Sequence, residues 1–252
     1  MSAEVVSRDI NSGLVTTEDQ ANTDLIVTRI NDRFRGQGVY TEELAKGPEF
    51  SLPDNNKIWV VDEIDGTNNY SRGIGKELVL SPDWSISIGL RGEKGEGLIG
   101  VVYAPDHDAL FYASKGNGAF MEKDGRTVKL QVSGEESKDR FNMSFNVNIS
   151  PDQLTNIMIG IGNSEIVKKL KPRIRESSAL ELCYVAGGTD DAFIHTKTQA
   201  HDVAAGLVIA QEAGAKVSWL NDNKTVLVSN VVIHSSLEGI VANTLQPPRL
   251  QR

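Results

Sequence analysis

Residues 58–70 read Ile-Trp-Val-Val-Asp-Glu-Ile-Asp-Gly-Thr-Asn-Asn-Tyr. The apolar run at 58–61 has the length and residue types of a buried strand, which we expect to end abruptly at Asp62. A second carboxylate follows at Asp65, and Gly66 with Thr67 offers a turn from which a helix can begin. Carboxylates crowded at a strand end repel each other unless a cation lies between them, and Mg²⁺ takes oxygen ligands of this kind.

The backbone N–H groups from Gly66 onward, at the start of a helix, suit a phosphate group. The stretch therefore predicts a metal site that faces an anion site. The alternative is a polar turn in which Asp62 or Asp65 only caps the helix.

The composition narrows the class of protein. The chain has 252 residues, of which 39% are hydrophobic and 24% charged, which is typical of one large globular domain or two small ones. The net charge of -8 argues against binding a nucleic acid polymer, because such proteins carry a basic face. The chain shows no long apolar run and no signal segment, so we expect a soluble cytoplasmic protein without membrane contact.

The rest of the chain predicts helices packed on sheets. Helical spacing predicts helices at 18–35, 151–159, 164–170, 178–186, 200–213 and 237–245. Alternation and short apolar runs predict strands at 39–41, 58–61, 84–90, 98–103, 109–113, 118–121, 128–132, 141–147, 191–195, 216–220 and 231–234. A charged break at 133–140 divides this single domain into halves, 1–135 with a helix on an antiparallel meander and 136–252 with alternating elements.

Two further acidic segments accompany the central stretch. Glu42 and Glu43 follow a short predicted strand, and Asp202 lies in the first turn of a predicted helix. The simplest interpretation of Asp202 is a carboxylate that the helix dipole favours. The run Ala-Ala-Gly at 204–206 lets that helix lie close to another element.

These segments together resemble the inositol monophosphatase family. The stretch at 62–67 is similar to its first signature, Asp-Pro-Ile-Asp-Gly-Thr, which Asn and an aromatic residue follow, and His201 to Gly206 is similar to its second, Trp-Asp-Val-Ala-Ala-Gly. The glutamate pair of the family is matched by Glu42 and Glu43, and its Val-Thr-x-x-Asp segment by 15–19. Order and spacing agree over nearly the whole chain.

The resemblance implies a layered αβαβα fold of the α+β class, with a shortened N-terminal helical region here, and usually a homodimer. It implies that Glu42, Asp62 and the Ile64 carbonyl hold one Mg²⁺, and that Asp62, Asp65 and Asp202 hold a second. Thr67, supported by Glu42 and Asp19, would orient an attacking water, and the N–H groups of Gly66 and Thr67 would bind the phosphate. Asp65, Ser178, His195 and Asp202 would lie at the substrate.

The implied activity is Mg²⁺-dependent hydrolysis of a small phosphate ester by direct attack of a metal-activated water. Two cations roughly 3.5–4 Å apart can neutralise the attacking and leaving oxygens. The family implies two or three ions, with Mn²⁺ as a substitute and Li⁺ or Ca²⁺ as inhibitors. No motif of a covalent nucleophile surrounds Ser178 or the single cysteine, Cys183.

Inositol-1-phosphate is the first substrate candidate. Fructose-1,6-bisphosphate, histidinol phosphate and 3′-phosphoadenosine 5′-phosphate are alternatives, because related folds handle them. A member that binds metal or phosphate without catalysis is a further alternative.

Four residues depart from the family pattern. Glu63 replaces the proline of the first signature, and we expect its side chain to point outward. His201 replaces the tryptophan of the second signature, and Glu176 replaces a glycine before the helix at 178–186. His195 replaces an acidic residue that contacts substrate hydroxyls. The last three lie where the family recognises the alcohol part of the substrate, although each of them could serve packing alone.

Overall fold

The structure is a computed structural model that describes residues 5–9, 13–43, 57–73, 83–134, 140–146, 150–164, 167, 169–220 and 224–245. The α-helices in these ranges are α1 Thr17–Arg33, α2 Thr67–Gly73, α3 Pro151–Gly162, α4 Ser178–Ala186, α5 Ala200–Glu212 and α6 His234–Leu245. The strands are β1 Val5–Asp9, β2 Gly13–Thr16, β3 Gly38–Thr41, β4 Ile58–Asp65, β5 Ser85–Arg91, β6 Gly97–Ala104, β7 Ala109–Ser114, β8 Ala119–Lys123, β9 Arg126–Lys129, β10 Phe141–Phe145, β11 Leu170–Arg173, β12 Ala192–Thr196, β13 Lys216–Leu220 and β14 Thr225–Ser229. A 3₁₀ turn lies at Pro105–His107.

The larger sheet contains the central stretch. Its seven strands follow the order β3-β4-β5-β6-β7-β8-β9. Only β3 and β4 pair in parallel; the later strands form the antiparallel meander that the sequence predicts. Helix α1 covers one face, where Ile26 and Ile30 pack against Trp59 and Val61.

The second sheet has five strands in the order β11-β10-β12-β14-β13. Strand β10 pairs in parallel with β11 and β12, while β14 runs antiparallel to both of its neighbours. Helices α3 and α6 cover the outer face through an apolar cluster that includes Phe141, Ile157 and Leu237.

Helices α4 and α5 lie between the two sheets. One apolar cluster joins them to β6, β7 and β8, and a second joins them to β12 and β14. The layers are therefore helix, sheet, helix, sheet and helix, which confirms the αβαβα fold.

The Ala-Ala-Gly run of α5 makes the close approach that its composition predicts. A Cβ on Gly206 would lie 2.7 Å from the Cβ of Leu182 in α4, and a Cβ on Gly100 in β6 would lie 2.2 Å from the Ala205 carbonyl oxygen. A side chain at Gly206 would collide with the Leu182 side chain, and one at Gly100 would collide with the backbone of α5, so both positions favour glycine. At its other end α5 is held by Glu212, whose carboxylate accepts hydrogen bonds of 2.8 Å from the N–H groups of Gly116 and Gly118.

Two predicted elements are wrong. The described residues of 164–170 are not helical, and Leu170 instead begins edge strand β11 beside Phe141. The apolar residues at 231–233 form a turn rather than a strand, in which the Asn230 side-chain oxygen accepts hydrogen bonds from the backbone N–H groups of Val232 and Ile233. The strand of this region lies earlier in the sequence, at β14, whose residues pair with both β12 and β13.

Ahead of α1 the described residues form the antiparallel hairpin β1–β2. Most of the predicted break at 133–140 lies outside the described residues, so the division into halves at 135 stays a prediction. Within the described ranges, no helix is both long enough and apolar enough to cross a membrane.

Candidate active site

Strand β4 does not end at Asp62 as the sequence predicts. It continues to Asp65, with Asp62 opposite Ser87 and Asp65 opposite Ser85, and the register shifts between these pairs. The irregularity lets both carboxylates lie on the buried side of the strand end, where Asp62 is 3% and Asp65 6% exposed. The backbone N–H of Ile64 donates to Asp62 Oδ1 at 3.2 Å.

Asp65 joins the end of β4 to the start of α4. Its Oδ2 accepts hydrogen bonds from the Ser177 hydroxyl at 2.5 Å, the Ala179 N–H at 2.8 Å and the Ser85 hydroxyl at 3.3 Å. Among the described residues, Oδ1 accepts a single hydrogen bond, from the Ser178 N–H at 3.1 Å. Oδ2 is therefore fully used by the protein, whereas Oδ1 keeps a lone pair for a further partner.

Gly66 and Thr67 make the predicted turn into helix α2. Gly66 has φ +92°, and a Cβ at this position would lie 3.0 Å from the Asp83 carbonyl oxygen. The Thr67 hydroxyl donates to the Ile64 carbonyl at 2.9 Å. Both N–H groups named in the phosphate prediction thus lie directly after the paired acids.

Glu42 and Asp19 come from the neighbouring elements. Glu42 follows β3, where its N–H donates to the Val61 carbonyl at 3.2 Å, and its side chain is half-buried. Asp19 lies in the first turn of α1 and is 4% exposed, and its carbonyl oxygen lies 2.8 Å from the Thr23 hydroxyl oxygen.

Asp202 reaches the same place from the first turn of α5. Its Oδ2 accepts a hydrogen bond of 2.7 Å from the Gln199 N–H, so Asp202 caps the start of the helix. The helix dipole also favours a carboxylate at this position. The neighbouring His201 places a ring nitrogen within 4.8 Å of carboxylate oxygens from Glu42 and Asp62. Three segments that are distant in sequence therefore meet at the end of β4.

The electrostatics of this group are unfavourable without a cation. Burial, followed by repulsion from Asp65, Glu42 and Asp202, raises the pKa of Asp62 well above its usual range. Burial raises the pKa of Asp65 to about 6, against the lowering effect of its hydrogen bonds. Burial, with a contribution from Asp65, raises the pKa of Asp202 to about 7.

Within the described ranges, none of these three aspartates forms an ion pair with Lys or Arg. Oxygen atoms that share one buried region and lack a protein counter-charge are the donor set that a hard divalent cation fits.

Comparison with known proteins identifies the family. The pattern of the inositol monophosphatase family matches residues 2–248. The chain belongs to the inositol monophosphatase family.

Curated relatives agree with this assignment. The "Nus factor SuhB" of Pasteurella multocida is 29% identical over 235 residues, with 92% of this chain and 82% of the relative covered. The "Fructose-1,6-bisphosphatase/inositol-1-monophosphatase" of Thermotoga maritima is 30% identical over 243 residues, with 92% and 84% covered. The solved structure of an IMPase from Thermotoga maritima has a TM-score of 0.76 and 28% identity over 96% of this chain and 89% of that one.

Members of the inositol monophosphatase family are phosphoric monoester hydrolases, and this chain is an enzyme of that class. The family is also metal-dependent, which is consistent with the acidic end of β4.

The prediction that Glu63 points outward is wrong. Glu63 is 1% exposed, and its Oε1 accepts a hydrogen bond of 2.6 Å from the Thr23 hydroxyl of α1. Successive side chains of a strand alternate between its faces, so Glu63 faces α1 while Asp62 faces the acids. Burial raises the pKa of Glu63, although hydrogen bonds from Thr23 and Thr41 oppose this.

The substrate-side residues of the family pattern are deeply placed. Ser178 is 3% exposed, and its hydroxyl accepts a hydrogen bond of 3.0 Å from the Asn146 side chain. His195 is 1% exposed, so its ring touches a substrate only if neighbouring side chains move. Glu176 adopts φ +66°, which explains why a glycine is usual at this position and why glutamate is strained there.

Sequence reasoning missed two features. Ser177 bridges Asp65 and the start of α4, because its hydroxyl also accepts a hydrogen bond from the Leu180 N–H at 3.4 Å. The sequence feature that could have revealed this role is a serine directly before a predicted helix, because serine is a common N-cap residue. Asn69 of the signature connects two segments that are distant in sequence, since its side chain donates to the Asp83 and Arg175 carbonyls at 2.7 Å each.

Proposed function

We propose that this enzyme hydrolyses a small phosphorylated polyol or sugar in a Mg²⁺-dependent reaction, with inositol-1-phosphate as the first candidate substrate. The observation that carries the proposal is the convergence of Asp62, Asp65 and Asp202, with Glu42 beside them. Among the residues that the structure describes, the three aspartates form no ion pair with Lys or Arg.

In this proposal Glu42, Asp62 and the Ile64 carbonyl hold one cation, and Asp62, Asp65 and Asp202 hold another. Bound cations would neutralise the charge of the phosphate ester and lower the pKa of a bound water. The hydrogen bonds of Asp65 support its assignment, because they fix the carboxylate through Oδ2 and leave Oδ1 directed to the site.

Thr67 would orient the water that attacks phosphorus. Its hydroxyl proton is committed to the Ile64 carbonyl, so the hydroxyl oxygen can only accept a hydrogen bond from that water. Glu42 and Asp19 would support this position from β3 and α1. The N–H groups of Gly66 and Thr67 would bind the phosphate oxygens and hold the ester in line for displacement.

Fructose-1,6-bisphosphate is the second candidate, and a specific observation favours it. Burial, with repulsion from His201, lowers the pKa of His195 to about 4, so this ring is neutral at pH 7. A neutral ring repels a second phosphate less than the acidic residue that inositol phosphatases carry there. The name of the Thermotoga maritima relative includes both activities.

A phosphate-release assay tests the proposal. The panel contains inositol-1-phosphate, fructose-1,6-bisphosphate, histidinol phosphate and 3′-phosphoadenosine 5′-phosphate, each with Mg²⁺, Mn²⁺ or a chelator. We expect release that needs the cation and that millimolar Li⁺ or added Ca²⁺ inhibits. No release from any ester would favour the non-catalytic alternative. The homodimer and the cytoplasmic location remain predictions, which sedimentation and cell fractionation would test.

A further inference from the structure

His201 occupies the position at which the family signature has tryptophan. It is 4% exposed in the first turn of α5, and its ring stacks on Tyr40 with the centroids 6.3 Å apart. Tyr40 precedes Glu42 by two residues on the same edge of the sheet. The imidazole therefore keeps the aromatic packing of this position and offers a ring nitrogen with a lone pair, which the indole of tryptophan lacks.

The nitrogen atoms lie beside the acids. A ring nitrogen of His201 and carboxylate oxygens of Glu42 and Asp62 all lie within 4.8 Å of one another. Atoms that bind one ion at ordinary ligand distances are roughly 3–4 Å apart, so small side-chain rotations would close this set on a cation. Each of the three side chains comes from a different element, which makes the set a built cage rather than a local run of polar residues.

A second imidazole borders the same region. His195 is 1% exposed, and its Nδ1 makes no hydrogen bond within the described ranges. This atom lies 3.8 Å from Asp202 Oδ2, while His201 Nε2 lies 3.4 Å from Asp202 Oδ1. Both distances are longer than an ordinary hydrogen bond, so no ordinary hydrogen bond to Asp202 fixes the orientation of either ring.

We propose that His201 supplies a nitrogen ligand to the cation held by Glu42 and Asp62, and that this ligand shifts the preference of the site from Mg²⁺ toward Mn²⁺, Co²⁺ or Zn²⁺. Imidazole suits these ions, whereas Mg²⁺ takes oxygen ligands almost exclusively. The inference rests on the proposed function for the carboxylate ligands, but it concerns the identity of the bound ion.

Pulsed electron paramagnetic resonance on the Mn²⁺-loaded protein tests the ligand directly. We expect ¹⁴N modulation from a coordinated imidazole in the wild type and in His107→Gln, the matched control, whose ring pairs with Asp83. The modulation is expected to disappear in His201→Trp, which restores the aromatic residue of the signature, and in His201→Gln. Modulation that persists in both His201 variants, or that is absent from the wild type, would overturn the proposal.

Metal titrations supply the second measurement. The ratio of Co²⁺ to Mg²⁺ affinity is expected to fall about tenfold or more in His201→Trp and to stay unchanged in His107→Gln. An equal ratio in all proteins would count against the nitrogen ligand. Circular dichroism first establishes which His201 variant is folded, and that variant is used.

The electron paramagnetic resonance experiment and the metal titrations do not depend on phosphate release. The His201 ligand and the proposed reaction can therefore fail separately. Mn²⁺ that binds without ¹⁴N modulation would remove the His201 ligand and leave the phosphatase proposal intact. Wild-type protein that binds no divalent cation would remove both. Nitrogen coordination in a protein that releases no phosphate would keep the metal site and remove the proposed reaction.

Discussion

Two groups of buried acids lie near the start of α4, and their charges are balanced differently. In the first, Asp62 and Asp65 have no Lys or Arg partner within the described ranges. In the second, Asp190 and Glu181 surround Arg175, whose Nη1 lies 2.8 Å from Asp190 Oδ2 and 2.5 Å from Glu181 Oε2.

Further contacts to Asp190 and Arg175 complete the network of the second group. Arg173 Nη1 lies 3.0 Å from Asp190 Oδ1, and the Ser144 hydroxyl donates to the same carboxylate. The Arg175 guanidinium also lies 4.6 Å from the centre of the Tyr184 ring. Removing one partner of a buried carboxylate–guanidinium pair is costly, so such a pair helps to maintain the fold. A buried carboxylate without such a partner is favoured either by binding a cation or by taking up a proton, as the raised pKa values of Asp62 and Asp65 indicate.

Asp62→Asn should have the largest effect on activity. We expect phosphate release to fall by at least about 10³-fold, because this carboxylate is assigned to both cations. The free energy of unfolding of the metal-free protein should stay equal or rise, because a buried repulsive charge is removed. Kinetic assays and denaturant titrations measure the two effects.

The matched control is Asp32→Asn, an exposed carboxylate of α1, which should leave both quantities unchanged. A near-wild-type rate in Asp62→Asn would refute the assignment of this residue. A large loss of stability in Asp62→Asn would mean that this carboxylate stabilises the metal-free fold, as the acids of the second group do.

Asp190→Asn should give the opposite result. Removing one partner leaves the half-buried Arg175 and Arg173 charges poorly compensated, and the free energy of unfolding should fall by about 3 kcal/mol. Affinity for divalent cations should be retained in the folded variant. Chemical denaturation and calorimetric titration test this, and unchanged stability would show that the Arg175 network is not structural.

The protonation of Glu181 makes the stability of the second group depend on pH. Burial raises its pKa to about 7 although Arg175 opposes this, so the folded protein holds a proton that the unfolded chain loses near pH 4.5. Stability from this group is therefore present at low pH and lost as the pH rises toward 7. Glu181→Gln should remove about 2 kcal/mol of that pH dependence, measured by unfolding at pH 4.5, 6 and 8. Identical slopes in both proteins would contradict the assignment.

The smallest expected effect belongs to Tyr184→Phe. Its hydroxyl donates to Asp83 Oδ1 at 2.8 Å, at the edge of the Arg175 network. Loss of this bond should cost about 1 kcal/mol and leave phosphate release unaffected. Thermal unfolding measures the first effect. A change in rate beyond that of Asp32→Asn would show that the network reaches the chemistry.

The sequence predicted most helices and strands well because their signals are local, whereas the layered arrangement was implied by the family resemblance. Helix α4 and strand β13 have the predicted bounds, and the small residues of α5 make the predicted close approach. The resemblance also named the acids that the structure brings together, although their roles as ligands remain predictions.

The failures have a common physical cause, which is pairing or packing with distant residues. Asp62 continues β4 because Ser87 and Ser85 on β5 extend the ladder, which no local pattern shows. Glu63 is buried because α1 covers its face and offers Thr23. Leu170 joins a sheet because Phe141 lies beside it, and 29 positions separate the two residues.

Helix α5 is held at both ends, and this has a consequence for where mutations matter. Asp202 lies in its first turn and Glu212 in its last. The Glu212 carboxylate accepts hydrogen bonds from the turn between β7 and β8. The 13 residues of α5 form a helix about 20 Å long that connects this turn with Asp202. Substitutions at Gly116 or Gly118 would therefore disturb an anchor of the same helix that carries Asp202.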